Sequence, residues 1–95
     1  MTDIIWSPEA SADLDRIAGW LDENRGLETS ARTLEDIGRR AQFLSDFPHG
    51  GRPWTAGKRA LVVLDTSYVI IYRLRDGMVE IIRIHHQRQN WQVEP

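Results

Sequence analysis

The 95-residue sequence predicts an α+β domain in the order β-α-α-β-β-β, with a helical hairpin packed on one face of a small, mainly antiparallel sheet. Three observations carry that prediction. Asp76-Gly77 is flanked by two β-branched and aromatic runs, Tyr68 to Leu74 and Met78 to His86, which is the pattern of a tight hairpin. Upstream, apolar residues recur at helical spacing in two stretches separated by Asn24-Arg25-Gly26. Phe47 to Trp54, with two Pro and two Gly, then divides the helical half from the strand half.

Each element has a local reason. Asp3-Ile-Ile-Trp6 is a short apolar run of strand type. Ser7-Pro8-Glu9 begins a helix: Ser caps it, Pro fits the first turn, and Glu favours the positive end of the dipole. Ala10, Leu14, Ile17 and Leu21 form its apolar stripe, while Asp13, Asp15, Arg16, Asp22 and Glu23 are expected on the wet face. The second helix is expected from Glu28 or Ser30 to about Ser45, with Ala31, Leu34, Ile37, Ala41 and Leu44 inward. So short a connection makes the two helices antiparallel. Phe47 is expected to pack where the chain turns. Arg59 to Leu64 reads as a strand and Asp65 to Ser67 as a turn.

A two-residue Asp76-Gly77 turn sets a register pairing Arg75 with Met78, Arg73 with Glu80, Ile71 with Ile82 and Val69 with Ile84. Val69, Ile71, Ile82 and Ile84 would then floor the helices. Tyr68, Ile70, Tyr72, Val79, Ile81, Arg83 and His85 would occupy the other face, open for binding.

Composition sets the outer bounds. The chain is one domain, residues 1–95, with one core. Cys is absent, so no disulfide framework exists and a reducing cytosol is compatible. No apolar stretch approaches the roughly 20 residues of a membrane span, and no leader is evident. A cytoplasmic protein is expected. Net charge is −2, which argues against a dedicated non-specific nucleic-acid binder, although Arg52 to Arg88 is net basic. No zinc-ligand spacing or Ser-His-Asp arrangement is present, and Gly50-Gly51-Arg52 lacks the Lys-Ser/Thr of a phosphate loop. No cofactor or metal is expected.

In order and spacing, Trp6-Ser-Pro-Glu-Ala10, Asp13-Leu14 with Ile17, Leu44 to Pro48, Gly51-Arg52, Lys58-Arg59, Tyr68 to Arg73, and Ile82 to His85 with Arg88 and Trp91 resemble the RelE/ParE superfamily of bacterial toxins. The resemblance spans Ile4 to Trp91. It implies a type II toxin, restrained by a cognate antitoxin in a hetero-oligomer, on one of two branches. RelE-like members cleave mRNA on the ribosome; ParE-like members poison DNA gyrase without known nuclease chemistry. The nucleases carry cations along the second strand and after the aromatic at Tyr68, where they would stabilise charge on the scissile phosphate. Here those places hold Ala60, Val62 and Val69, so the ParE branch is favoured. Two positions depart from the usual pattern: Lys58-Arg59-Ala60 stands for Thr-Arg-Glu, and His86 follows His85 in place of Gly.

The expected target surface is Arg59, Tyr72, Arg83, His85, Arg88 and Trp91. The expected antitoxin contacts are Leu14, Ile17, Leu21 and Leu34. If the chain is instead a nuclease, Arg83, His85, His86 and Arg88 are the catalytic candidates, since His exchanges protons near neutral pH. Adjacent strand residues point to opposite faces, so a structural or partner-contacting role for the two His is favoured. Arg73 is expected to pair with Glu80. Trp6 and Trp20 are expected in the core; Trp54 and Trp91 fit an interface anchor or a core edge equally. A toxin fold kept only for antitoxin binding is a third reading.

Overall fold

The structure, a computed structural model, describes residues 1–88; residues 89–95, and with them Trp91, lie outside the described residues. The elements are β1 (Ile4–Trp6), α1 (Pro8–Asn24), α2 (Leu27–Asp46), β2 (Arg52–Pro53), β3 (Lys58–Val62), β4 (Tyr68–Arg75) and β5 (Met78–His86). The predicted α+β class holds, with the two-residue β2 inside the Pro/Gly segment as an addition. The sheet runs β1-β5-β4-β3-β2, and only β1 lies parallel to its neighbour. Among the described residues no helix is long and apolar enough to cross a membrane.

The local signals act as expected. Ser7 Oγ accepts the Ala10 N–H, with Pro8 in the first turn of α1. Gly26, at φ 96°, turns the chain between the helices. Asp76 and Gly77 have φ of 53° and 76°, the paired positive angles of a type I′ hairpin turn. Arg75 faces Met78 and Arg73 faces Glu80.

Beyond those pairs the register departs from expectation. A bulge lets Tyr72 face Ile81 and Ile71 face Arg83, so Ile82 is the extra residue. Val69 then faces His85, not Ile84. On β4, and on β5 up to Ile81, the two faces are also exchanged; past the bulge Ile84 lies in the core as expected, and Arg83 and His85 lie outside it. Tyr68, Ile70, Tyr72, Val79, Ile81 and Ile84 form the main core with Ala10, Ile17, Leu21, Ile37, Ala41 and Leu44. Val69 and Ile71 lie on the opposite face, in a small cluster with Ala60 and Trp54. Both faces of β4 are apolar, so alternation alone does not say which one the helices cover. Tyr72, placed on the open surface by the sequence pattern, is fully buried.

Other corrections follow the same logic. Trp20 is 52% exposed rather than in the core; it stands beside the stripe of α1, next to Leu21. In α2 the inward position is Ser30, whose Oγ donates to the Ala18 carbonyl, and Ala31 is exposed. A small hydroxyl there suits the close approach of two helices. Phe47 is largely exposed and stacks on Phe43, ring centres 4.9 Å apart.

Asp13 is the largest departure. Expected on the wet face, its side chain is 1% exposed. Strand β1 pairs with β5 only from Val79 to Ile81, after which the chain leaves to begin α1. The β5 edge beyond that point would be bare. Ser7 Oγ donates to the Ile82 carbonyl, and the Asp13 carboxylate accepts the Ile84 N–H at 2.9 Å. Arg83 donates Nε and Nη2 to the same carboxylate at 2.8 and 2.9 Å, and Arg16 donates from the adjacent turn. Helix α1 thus continues β1's work with side chains.

Burial pushes the Asp13 carboxyl up, but the hydrogen bonds from Arg83, the Ile84 amide and Arg16 outweigh it and hold the pKa at about 2, against 3.8 unperturbed. A carboxylate with a depressed folded-state pKa stabilises the fold above its unfolded value and loses that contribution as pH falls through the folded one. Roughly 2 kcal/mol of stability should therefore vanish between about pH 4 and pH 2. Denaturant unfolding at a series of pH values checks this, and Asp13→Asn should flatten that part of the curve while lowering stability at neutral pH.

Candidate functional site

The chain between α2 and β3 is held from three sides. Tyr72 Oη, rising from β4, accepts the Gly51 N–H at 2.8 Å and donates to the Pro48 carbonyl at 2.9 Å. Arg59 Nε donates to the Gly51 carbonyl at 3.0 Å, and its Nη2 to that of His49. A Cβ on Gly51 would lie 2.7 Å from the Tyr72 ring and 2.9 Å from the Ala60 carbonyl; one on Gly50 would strike the Phe43 ring. The Trp54 N–H donates to the Lys58 carbonyl at 2.8 Å, and Lys58 Nζ lies 5.4 Å from the Trp54 ring centre. His49 and Arg52 are exposed on this fixed backbone.

Adjacent glycines were legible as a turn. Their need for space against Tyr72 was not, because the partner stands 21 residues away. Tyr72 and Arg59, both expected on a target surface, are the residues that shape this loop.

The remaining candidates divide among three places. Arg83 is engaged by Asp13, which raises its pKa through that hydrogen bond. His85 faces Val69, and His86 faces Tyr68, with its ring edge-on to the phenol at 5.4 Å between centres. Burial pushes the Tyr68 hydroxyl pKa up. Arg88 is exposed just past β5, and its N–H donates to His86 Nδ1. Arg59 aligns with Tyr72, whereas Arg88 follows the Tyr68–His86 pair toward the other end of the sheet. The structure therefore does not gather these cations and His into one cluster.

Arg73 pairs with Glu80 at 2.7 Å, as the register predicts, and that hydrogen bond lowers the Glu80 pKa. Among the described residues no group of three or more His, Asp or Glu is arranged to hold a metal ion.

The expected antitoxin contacts face the sheet. Ile17 and Leu21 are core residues, and Leu14 and Leu34 pack against that core. Leu14 and Leu34 are only partly buried, whereas Ile17 and Leu21 are buried. Exposed apolar surface occurs elsewhere. Trp20 stands at a cavity of about 330 Å³ with Arg16, Ile17, Tyr68, Ile84 and His86. Leu64 lines a second cavity of about 290 Å³ with Arg39, Arg40 and Phe43.

Tyr72→Phe should leave the buried Gly51 N–H without an acceptor and lower stability by about 1–3 kcal/mol. Thermal or denaturant unfolding measures it, and a second readout is faster proteolysis within Pro48–Trp54.

Comparison with known proteins places this geometry. A curated protein, Toxin RelE2 of Caulobacter vibrioides, is 36% identical over 86 residues, covering 90% of this chain and 96% of its own length. Toxin ParE1 of the same organism is 32% identical over 87 residues, covering 88% of each. Among solved structures, a chain from the chromosomal ParDE toxin–antitoxin system of P. aeruginosa superimposes with a TM-score of 0.84 at 26% identity, over 90% of this chain and 96% of that one. The family model for the ParE toxin of the type II toxin–antitoxin system parDE matches residues 4–91. The order of elements, the packing of the hairpin and these matches agree: the chain belongs to the ParE toxin family of type II toxin–antitoxin systems, within the RelE/ParE superfamily.

Proposed function

We propose that this toxin acts in the cytoplasm by inhibiting DNA gyrase and is neutralised by a cognate antitoxin. One observation carries the choice of target. At the places where the superfamily's nucleases hold cations stand Ala60, Val62 and Val69, and Ala60 and Val69 are buried in an apolar cluster with Ile71 and Trp54. Aliphatic side chains there offer nothing to a scissile phosphate. The likeness to the ParDE chain supports the same branch.

The target-contacting residues proposed are His85 near the end of β5, Arg88 just past it, and Trp91. Arg83, on the same strand as His85, is held by Asp13, and Arg59 holds the Pro48–Trp54 loop toward the other end of the sheet. For the antitoxin, the exposed Trp20 and the Phe43–Phe47 stack are the apolar anchors that an amphipathic helix would cover. A second reading is favoured by the name of the relative at 36% identity, RelE2. It would make the protein a ribosome-dependent endoribonuclease using Arg83, His85, His86 or Arg88.

Purified, antitoxin-free protein added to a gyrase supercoiling assay tests the choice. Lost supercoiling, or accumulated linear plasmid, is the expected result. Unaffected gyrase, together with mRNA cut only on ribosomes, would sink the gyrase reading. Alanine at His85 and Arg88 together should lower inhibition at least tenfold in protein that circular dichroism shows to be folded.

A further inference from the structure

Charge is divided between the layers of this molecule. Residues 1–46 carry ten Asp and Glu against five Arg, whereas residues 47–95 carry four against seven Lys and Arg. Within the second part, Phe47 to Leu64 contains no carboxylate at all, yet holds His49, Arg52, Lys58 and Arg59. Next to it on the sheet, Lys58 is paired in register with Arg73. Among the described residues, nearby carboxylates are Glu80, engaged by Arg73 and Arg75, Asp76 at the hairpin tip, and Asp46 at the end of α2.

These cations sit on a rigid support. Tyr72, Arg59 and the two cramped glycines fix the loop backbone, and Trp54 underlies the Lys58 ammonium. A preorganised basic surface loses little entropy on binding, so more of its electrostatic attraction appears as affinity. Trp54 itself packs against the Ala60, Val69 and Ile71 cluster, with Lys58 over its ring. It is therefore not presented for stacking on bases. The surface offers clustered positive charge and no exposed aromatic platform from Trp54, the chemistry that matches a phosphodiester backbone.

We propose that the Pro48–Lys58 end of the sheet is a sequence-independent DNA-backbone contact, with Arg52 and Lys58 touching phosphates and the acidic helical layer turned away from the duplex. Its meaning for inhibition rests on the gyrase reading, because gyrase holds DNA while it works. The physical claim is separate and is tested without gyrase.

The experiment is fluorescence anisotropy of the full-length toxin on a labelled duplex of about 20 base pairs. Two or three phosphate contacts predict that log affinity falls against log salt with a slope of about −2 to −3. That is roughly a 10- to 50-fold loss between about 50 and about 200 mM salt. The Arg52→Glu, Lys58→Glu double variant should lose at least tenfold at the lower salt, and the milder Arg52→Gln, Lys58→Gln pair should lose less. Circular dichroism and unfolding midpoints verify that each variant is folded. Absence of binding by wild type at the lower salt would overturn the proposal. So would full binding by a folded charge-reversal variant, or equal affinity for a polyglutamate peptide, which would make the surface a site for acidic protein. None of these outcomes bears on whether gyrase is inhibited, so failure here and failure of the gyrase reading are distinguishable.

Discussion

A parallel strand of three residues leaves an edge that something else must cover, and Asp13 covers it. The fold begins with β1 on the β5 edge and then lifts the chain off to start a helix. The Ile84 N–H would otherwise be a backbone donor at the junction of helix and sheet, and leaving such a donor buried without an acceptor costs about 1–3 kcal/mol. A carboxylate accepts it and, being charged, also recruits Arg83 from the same strand and Arg16 from the same helix. Breaking one member of such a buried set leaves an uncompensated charge, so the group acts as a unit. The docking angle of α1, and through α1 the position of α2, depends on this joint.

The bulge in β5 belongs to the same joint. It shifts the pairing at Ile82, one residue before Arg83. Ile81 and Ile84 both remain in the core, while Arg83 is delivered to Asp13. Strict alternation does not provide that combination; the exchange of faces itself arises on β4, which is apolar on both sides. The hairpin turn, the cap at Ser7, the stop at Gly26 and the near-turn register at Arg73–Glu80 were legible because each is a local event. Asp13 was not, because a carboxylate among other carboxylates on a helix gives no sign that its partners stand some 70 residues away. Tyr72 was misplaced for a related reason: β4 is apolar on both faces, and only the tertiary structure shows that its hydroxyl meets Gly51 and Pro48.

The candidate site was legible by residue type and not by grouping. Basic residues were correctly seen to concentrate after residue 52, yet the structure distributes them. Arg83 closes the joint with Asp13, Arg59 holds a loop, Arg73 pairs with Glu80, and Arg88 is exposed beyond the strand. Cations that shape the backbone differ from cations that meet a partner, and a sequence shows both as the same letter. The same holds for the helical stripe. Ile17 and Leu21 look like a groove for another helix but are buried in the core, while Trp20 and the stacked Phe47 are the exposed apolar side chains of the helical layer and its exit.

Native-state hydrogen exchange at the Ile84 amide, compared between wild type and Asp13→Asn, tests the central claim most directly. If Asp13 closes the β5 edge, this amide exchanges in wild type only through openings nearly as costly as global unfolding. In Asp13→Asn its protection should drop at least tenfold more than that of the paired β4 amides. An Ile84 amide that exchanges as fast as exposed loop amides in wild type would contradict the account. Protection unchanged by the substitution would contradict it equally.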